Sequence, residues 1–241
     1  MRPLRLALPS EELLLGPTRE LLAGAGVELR GYDSTTRRYR PGISGPVVGG
    51  PVPAAATMLR DRDIPIQVGV GNYDLGVCSL LWAEELLARY PSSGLVKLFD
   101  CGSGAQTVYA ACWRERPSPS LAHLARRRPL RVVTEQPNLT ERFVLEERLP
   151  RVALFPVWDR AEVYLPEHAD LAVLSVAGVE ELASLGLRPV AALLHSTAYV
   201  VAHAASLKGR DMSPLLQRLA ELTGPSAGDS GGETTLAREG A

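Results

Sequence analysis

Residues 130–143, LRVVTEQPNLTERF, read as strand, turn and helix in one short stretch. Arg131 to Thr134 is a β-branched run, Pro137 stops it, and Asn138 or Thr140 can accept the first free N–H groups of a helix continuing through Phe143 and Leu145. Such a junction points backbone donors at an anion. The same pattern also describes an ordinary βα corner, which every α/β protein contains.

Outward from this stretch the alternation continues. Downstream the pattern predicts a strand at Val152 to Phe155, an irregular or helical piece at Trp158 to Tyr164, a strand at Leu171 to Leu174 and a helix at Val179 to Leu185. Val190 to Leu194 and Thr197 to His203 follow as strands, and Pro214 to Leu222 as an amphipathic helix. Upstream, the strand Arg5 to Leu8 leads into a helix from Ser10 to about Gly24. Asp63-Ile64-Pro65 opens another short helix, Asp74 to Cys78 is a buried strand, and Leu80 to Ala88 is helical. Leu95 to Phe99 and Thr107 to Cys112 are strands joined by a turn, Asp100 to Gly104, too short for a crossover helix. The expectation is therefore α/β in two lobes with a central cleft: residues 1–100 with 188–222 as the first lobe and 101–187 as the second. Residues 223–241 are rich in Gly, Ser, Thr and acids and are expected to be disordered.

Composition narrows the partners. The net charge of −1 over 241 residues gives no reason to expect nucleic acid or an anionic membrane, and no apolar run approaches the roughly 20 residues a bilayer demands. Lys97 and Lys208 are the only lysines, and neither lies in a glycine-rich loop. Cys78, Cys101 and Cys112 have no CxxC spacing, and His123, His168, His195 and His203 form no ligand cluster, so neither a disulfide framework nor a metal site is predicted. A reducing, cytoplasmic setting is expected.

Taken in order, LRLALP (4–9), RELLAGAGV (19–27), RDIP (62–65), YDLGV (73–77), RVVTEQPNLTERF (131–143) and ADLAV (169–173) resemble the catalytic subunit of the ATP phosphoribosyltransferase family, in its short form. The resemblance implies two lobes like those of type II periplasmic binding proteins. It implies transfer of phosphoribosyl from phosphoribosyl pyrophosphate to N1 of ATP, the first step of histidine biosynthesis, with Mg2+. It also implies an oligomer and a regulatory partner similar to histidyl-tRNA synthetase. Carried over position by position, it makes Asp74, Gly76, Gly102, Gly104, Thr134, Asn138, Asp170 and Gly178 candidates for substrate binding, and it identifies no catalytic residue and no protein metal ligand.

The chain departs from the family pattern where phosphates would sit. Ser10-Glu11-Glu12 stands for Lys-Gly-Arg, and Ala177-Gly178-Val179-Glu180-Glu181 for a loop of hydroxyl residues. The glycine-rich turn is reduced to Gly102 to Gln106, and a Gly-Ser-Val-Glu segment appears as Pro156-Val157-Trp158-Asp159. A charge-assisted hydrogen bond to phosphate is worth about 1.5–3 kcal/mol, so losing three or four costs about 4–10 kcal/mol of binding.

Two functions fit these observations. One is a working phosphoribosyltransferase whose missing cations come from Arg37, Arg38 and Arg40 or from a partner chain. The other is an impaired or repurposed small-ligand binder on the same scaffold. The arginine run also reads as a solvated surface, Asp74 and Asp170 as ligand contacts or strand caps, and Phe155, Trp158 and Tyr164 as a base-binding group or as core.

Overall fold

The computed structural model describes residues 2–33, 39–46, 54–115, 121 and 129–223. Arg37, Arg38 and the expected tail from 224 lie outside the described residues. The chain divides into two compact units, residues 1–104 with 197–223 and residues 105–196 among those described.

The first unit is built on a five-stranded sheet in the order β4-β1-β5-β12-β6. Its strands are β1 (Leu4–Pro9), β4 (Ala54–Leu59), β5 (Leu75–Ser79), β6 (Leu95–Asp100) and β12 (Ala198–His203). Both β4 and β5 run parallel to β1, whereas β12 runs antiparallel to β5 and β6. A small antiparallel pair, β2 (Glu28–Arg30) and β3 (Gly42–Ser44), stands beside it. Helix α1 (Glu12–Gly24) buries Leu15 and Leu22 against Leu6, Leu8 and Val77. On the other face α2 (Ile64–Gly69) and α3 (Leu80–Arg89) pack Ile64, Val68 and Ala83 against Ala7, Cys78 and Val201. After β12 a short helix, α6 (Ala204–Gly209), leads to α7 (Ser213–Thr223), which returns Leu215 and Leu219 to the same core.

The second unit repeats the arrangement in the order β11-β7-β10-β8-β9. Here β7 is Gln106–Trp113, β8 Leu130–Thr134, β9 Val152–Pro156, β10 Leu171–Val176 and β11 Leu187–Ser196. Strand β8 is flanked by parallel β9 and β10, and beyond β10 strand β7 runs antiparallel to both β10 and β11. Helices α4 (Pro137–Glu146) and α5 (Val179–Ser184) follow β8 and β10. Each sheet thus places one strand, β1 or β8, between two parallel neighbours and ends in two strands antiparallel to each other.

The return crossing, expected near residue 188, lies after Ser196. Leu187–Ser196 pairs with β7 along its length, from Leu187 opposite Trp113 to Ser196 opposite Gln106, so it belongs to the second unit. Similarly the outward crossing follows Gly104, because Ser103 still accepts the Ala198 N–H in the first sheet.

The expected cap of α4 is also corrected. Neither Asn138 nor Thr140 is the N-cap; Gln136 is, without a side-chain cap bond. Thr134 Oγ1 instead accepts the Gln136 N–H at 2.8 Å, and Thr140 Oγ1 donates to the Gln136 carbonyl at 2.7 Å. Pro137 occupies the first turn, where a missing N–H costs nothing.

Candidate functional site

In α/β sheets of this kind ligands bind beyond the carboxyl ends of the parallel strands, where side chains and helix starts converge. In the first unit these ends carry acids. Glu11, just past β1, accepts the Asp61 N–H at 2.9 Å through Oε2. Asp61, just past β4, accepts the Ser79 N–H at 2.8 Å and the Ser79 hydroxyl at 2.5 Å. The ends of β1, β4 and β5 are therefore laced together through two carboxylates. Asp61 is 8% exposed, and burial raises its pKa to about 6; the Ser79 donors pull it back and the Glu11 charge adds to the rise. Arg60, exposed at the same strand end, flanks this cluster.

Beside it, Asp100 at the end of β6 accepts the Thr197 hydroxyl at 2.7 Å and the Gly102 N–H at 2.8 Å. Gly102 and Gly104 hold φ values of +64° and +65°, so the turn needs glycine for conformation. A Cβ at Gly104 would also overlap Leu14.

The corresponding ends in the second unit are acidic too. Glu181 reaches back from the first turn of α5, and its Oε2 accepts the Ala177 N–H at 2.7 Å. This resembles a capping box, in which a helix's own carboxylate satisfies a free amide at its start. The loop after β10 thus satisfies the Ala177 amide internally. Glu135, after β8, has its pKa raised by burial; the Ala161 amide opposes the shift, and Asp159 and Glu162 add to it.

Gln136 beside it is fully buried, and neither side-chain amide atom finds a hydrogen-bond partner among the described residues. These acids were visible in the sequence as departures or neighbours of motifs. Asp61 was missed as a site residue, although an acid placed between a strand end and a helix-starting Ile64-Pro65 was a usable signal.

The residues proposed from sequence separate into groups. Asp74 and Asp170 lie at the opposite, amino-terminal ends of β5 and β10, each buried in an arginine pair, and act as strand anchors. Gly76 lies within β5, where a Cβ would crowd Ile64 and Val68; it lets α2 approach the sheet. Thr134 is wholly buried, its hydroxyl bonded to Thr140 and to the Gln136 amide, which leaves it no access to a ligand. Gly102 and Gly104 stay at the strand ends of the first unit. Asn138, in the first turn of α4, and Gly178, the N-cap of α5, stay at those of the second. Gly178 has an extended φ of −177°, a conformation open to any residue. Phe155 and Trp158 are 51% and 87% exposed, which removes the core-packing alternative for both.

Among the described residues, no group of three or more His, Cys, Asp or Glu side chains is arranged to hold a metal ion. Magnesium often binds through substrate phosphates with only one or two carboxylates; among the described acids at the first unit's strand ends, Glu11 Oε2 and Asp61 already accept protein hydrogen bonds. No described helix is long and apolar enough to cross a membrane.

Comparison with known proteins points to one family. The family model described as ATP phosphoribosyltransferase matches residues 60–221. Among solved structures, the ATP phosphoribosyl transferase (HisG:HisZ) complex from Thermotoga maritima aligns with a TM-score of 0.70 at 19% identity, over 91% of this chain and 98% of that chain. XAC2383 from Xanthomonas citri bound to ATP aligns at 0.55 with 14% identity, over 92% and 82% of the two chains. The periplasmic aliphatic sulphonate binding protein SsuA from Escherichia coli aligns at 0.54 with 11% identity, over 91% and 69%. These likenesses establish a periplasmic-binding-protein-like fold. No curated protein matches in sequence.

Proposed function

The chain belongs to the ATP phosphoribosyltransferase family, and on that premise we propose that it transfers the phosphoribosyl group of phosphoribosyl pyrophosphate to N1 of ATP. The observation that carries this reading is the family match itself, which runs from Arg60, at the end of β4, through the strand ends of both units to the final helix.

Such a transfer asks little covalent work of the protein. Pyrophosphate leaves as the sugar carbon gains positive character, so rate depends on holding the reactants in line and stabilising the departing charge. Arg60, exposed at the end of β4, is the cation this reading assigns to a substrate phosphate in the first unit. The glycine turn at residues 102–104 allows close backbone approach. Magnesium belongs to this reading only as a companion of the substrate phosphates. A histidyl-tRNA-synthetase-like partner, an oligomeric state and a cytoplasmic setting are part of the same proposal; the Thermotoga relative is itself described as a two-component complex, and Cys78, Cys101 and Cys112 are all free thiols.

A second reading, a ligand-binding protein that has lost transfer activity, is favoured by one contact. Glu181 occupies the Ala177 amide, and with Glu180 it puts two carboxylates in the first turn of α5. Phosphate binding there would meet repulsion in place of a donor. Incubation with ATP, phosphoribosyl pyrophosphate and magnesium, followed by chromatography for the N1-phosphoribosyl adduct, separates the readings. Product supports transfer; absence of product together with binding of phosphoribosyl pyrophosphate weaker than about 1 mM supports the second.

A further inference from the structure

A polar groove lies at the opposite end of the first sheet from the strand carboxyl ends, where β1 and β4 begin. It encloses about 740 Å³ and is lined by Arg2, Arg5, Arg40, Gln67, Asn72 and the small side chains at the start of β4. No carboxylate appears among its lining residues.

The three guanidiniums differ in readiness. Arg5 is fixed: Nε and Nη2 donate to Asp74 at 3.2 and 3.0 Å, and Nη2 also donates to the Gly71 carbonyl at 2.9 Å. Its Nη1 donates to nothing among the described residues, so a held guanidinium presents two uncommitted protons. Arg2 and Arg40 are exposed, and neither side chain meets a carboxylate among the described residues. Asn72 donates to Gln67 Oε1 at 2.9 Å, which leaves the Gln67 amide nitrogen as a further donor. The alanines at 54–56 leave the floor open.

We propose that this groove binds a small phosphorylated anion carrying at least two phosphate groups, at a site separate from the strand carboxyl ends. Guanidinium forks match phosphate oxygens in pairs, and a single phosphate would span only part of a groove this large. Ordering costs fall on Arg2 and Arg40 alone, because Asp74 has already oriented Arg5. Binding at this end does not depend on whether the chain retains transfer activity.

The test is calorimetric titration of the full chain with inorganic tripolyphosphate at fixed moderate salt. The double variant R2Q/R40Q removes two cations from the groove, and R142Q removes one from the exposed side of α4 as a control. Circular dichroism verifies that each variant is folded. The expected result is a loss of affinity of tenfold or more for one class of sites in R2Q/R40Q, with R142Q within threefold of the parent. A loss smaller than tenfold, or an equal loss in R142Q, overturns the proposal.

Discussion

Arg5 and Asp74 join β1 to β5 through a clamp that the second unit repeats with Arg131 and Asp170. In each, the aspartate accepts the arginine's own N–H and two of its guanidinium donors, while the aspartate N–H returns to the arginine carbonyl. In each, the guanidinium also donates to the carbonyl three residues before the aspartate, Gly71 or Glu167. Two sheets with one strand order, pinned at one position by the same pair, explain why matching aspartates stand at both strand entries.

Replacing Asp74 with Asn should destabilise the fold by about 3–5 kcal/mol, the usual result of removing one member of a buried pair. Asp74 also accepts the Ser206 hydroxyl at 2.8 Å and lies 3.4 Å from Arg210 Nε, so the variant loosens the return segment too. Burial raises the Asp74 pKa, but the Arg5 and Ser206 contacts outweigh it and leave it below 3.8. Its stabilisation is therefore full above about pH 4 and lost as pH falls through the depressed value. Urea denaturation at pH 7 and pH 3 measures both effects; equal loss at the two pH values would count against the clamp.

Asp61 should behave in the opposite sense. Its pKa is raised from 3.8 to about 6, so the folded state binds its proton more tightly than the unfolded chain does. The stability tied to that proton is greatest below about pH 4 and is lost as pH rises through about 6. Asp61→Asn keeps an acceptor for the Ser79 amide and removes the buried charge. Above pH 7 the variant should be more stable than the parent by about 2–3 kcal/mol. Thermal unfolding between pH 4 and 8 should also show a shallower pH dependence.

Glu181→Gln should favour phosphate binding. It removes a charge from the α5 start and weakens the hold on Ala177 N–H. Affinity for phosphoribosyl pyrophosphate should rise about tenfold, while helix-end stability falls by about 1 kcal/mol. Calorimetry and urea denaturation read the two changes; unchanged affinity would mean that the loop does not face the ligand.

Arg60→Ala should lower phosphoribosyl pyrophosphate affinity about tenfold or more, the worth of one charge-assisted contact. Stability should change by less than about 0.5 kcal/mol, as expected for an exposed side chain. A stability loss without a binding loss would return Arg60 to the scaffold.

Much of the fold was legible because its elements alternate cleanly. The β-branched run at 131–134, the Pro137 break and the apolar spacing of the helices each marked an element that the structure contains. Chain crossing was harder: nothing local in RPVAALLHS shows that it pairs with β7 before the chain returns. The site was legible only as types of residue. Asp74 and Gly76 sit in the same short motif, yet one anchors a strand entry and the other makes room for a helix. Thr134 reads as a ligand hydroxyl until its burial and its bonds to Thr140 and Gln136 are seen. The acidic character of both strand-end faces was present in Glu11, Glu180 and Glu181, whereas the buried hydrogen bonds of Asp61 to Ser79 needed three dimensions.

The most direct measurement is the reaction itself: purified chain with ATP, phosphoribosyl pyrophosphate and magnesium, with and without a histidyl-tRNA-synthetase-like partner, assayed for the N1-phosphoribosyl adduct of ATP. Phosphoribosyl transfer predicts adduct in at least one arm, reduced about tenfold by Arg60→Ala. No adduct in either arm, with phosphoribosyl pyrophosphate binding weaker than about 1 mM, would contradict it.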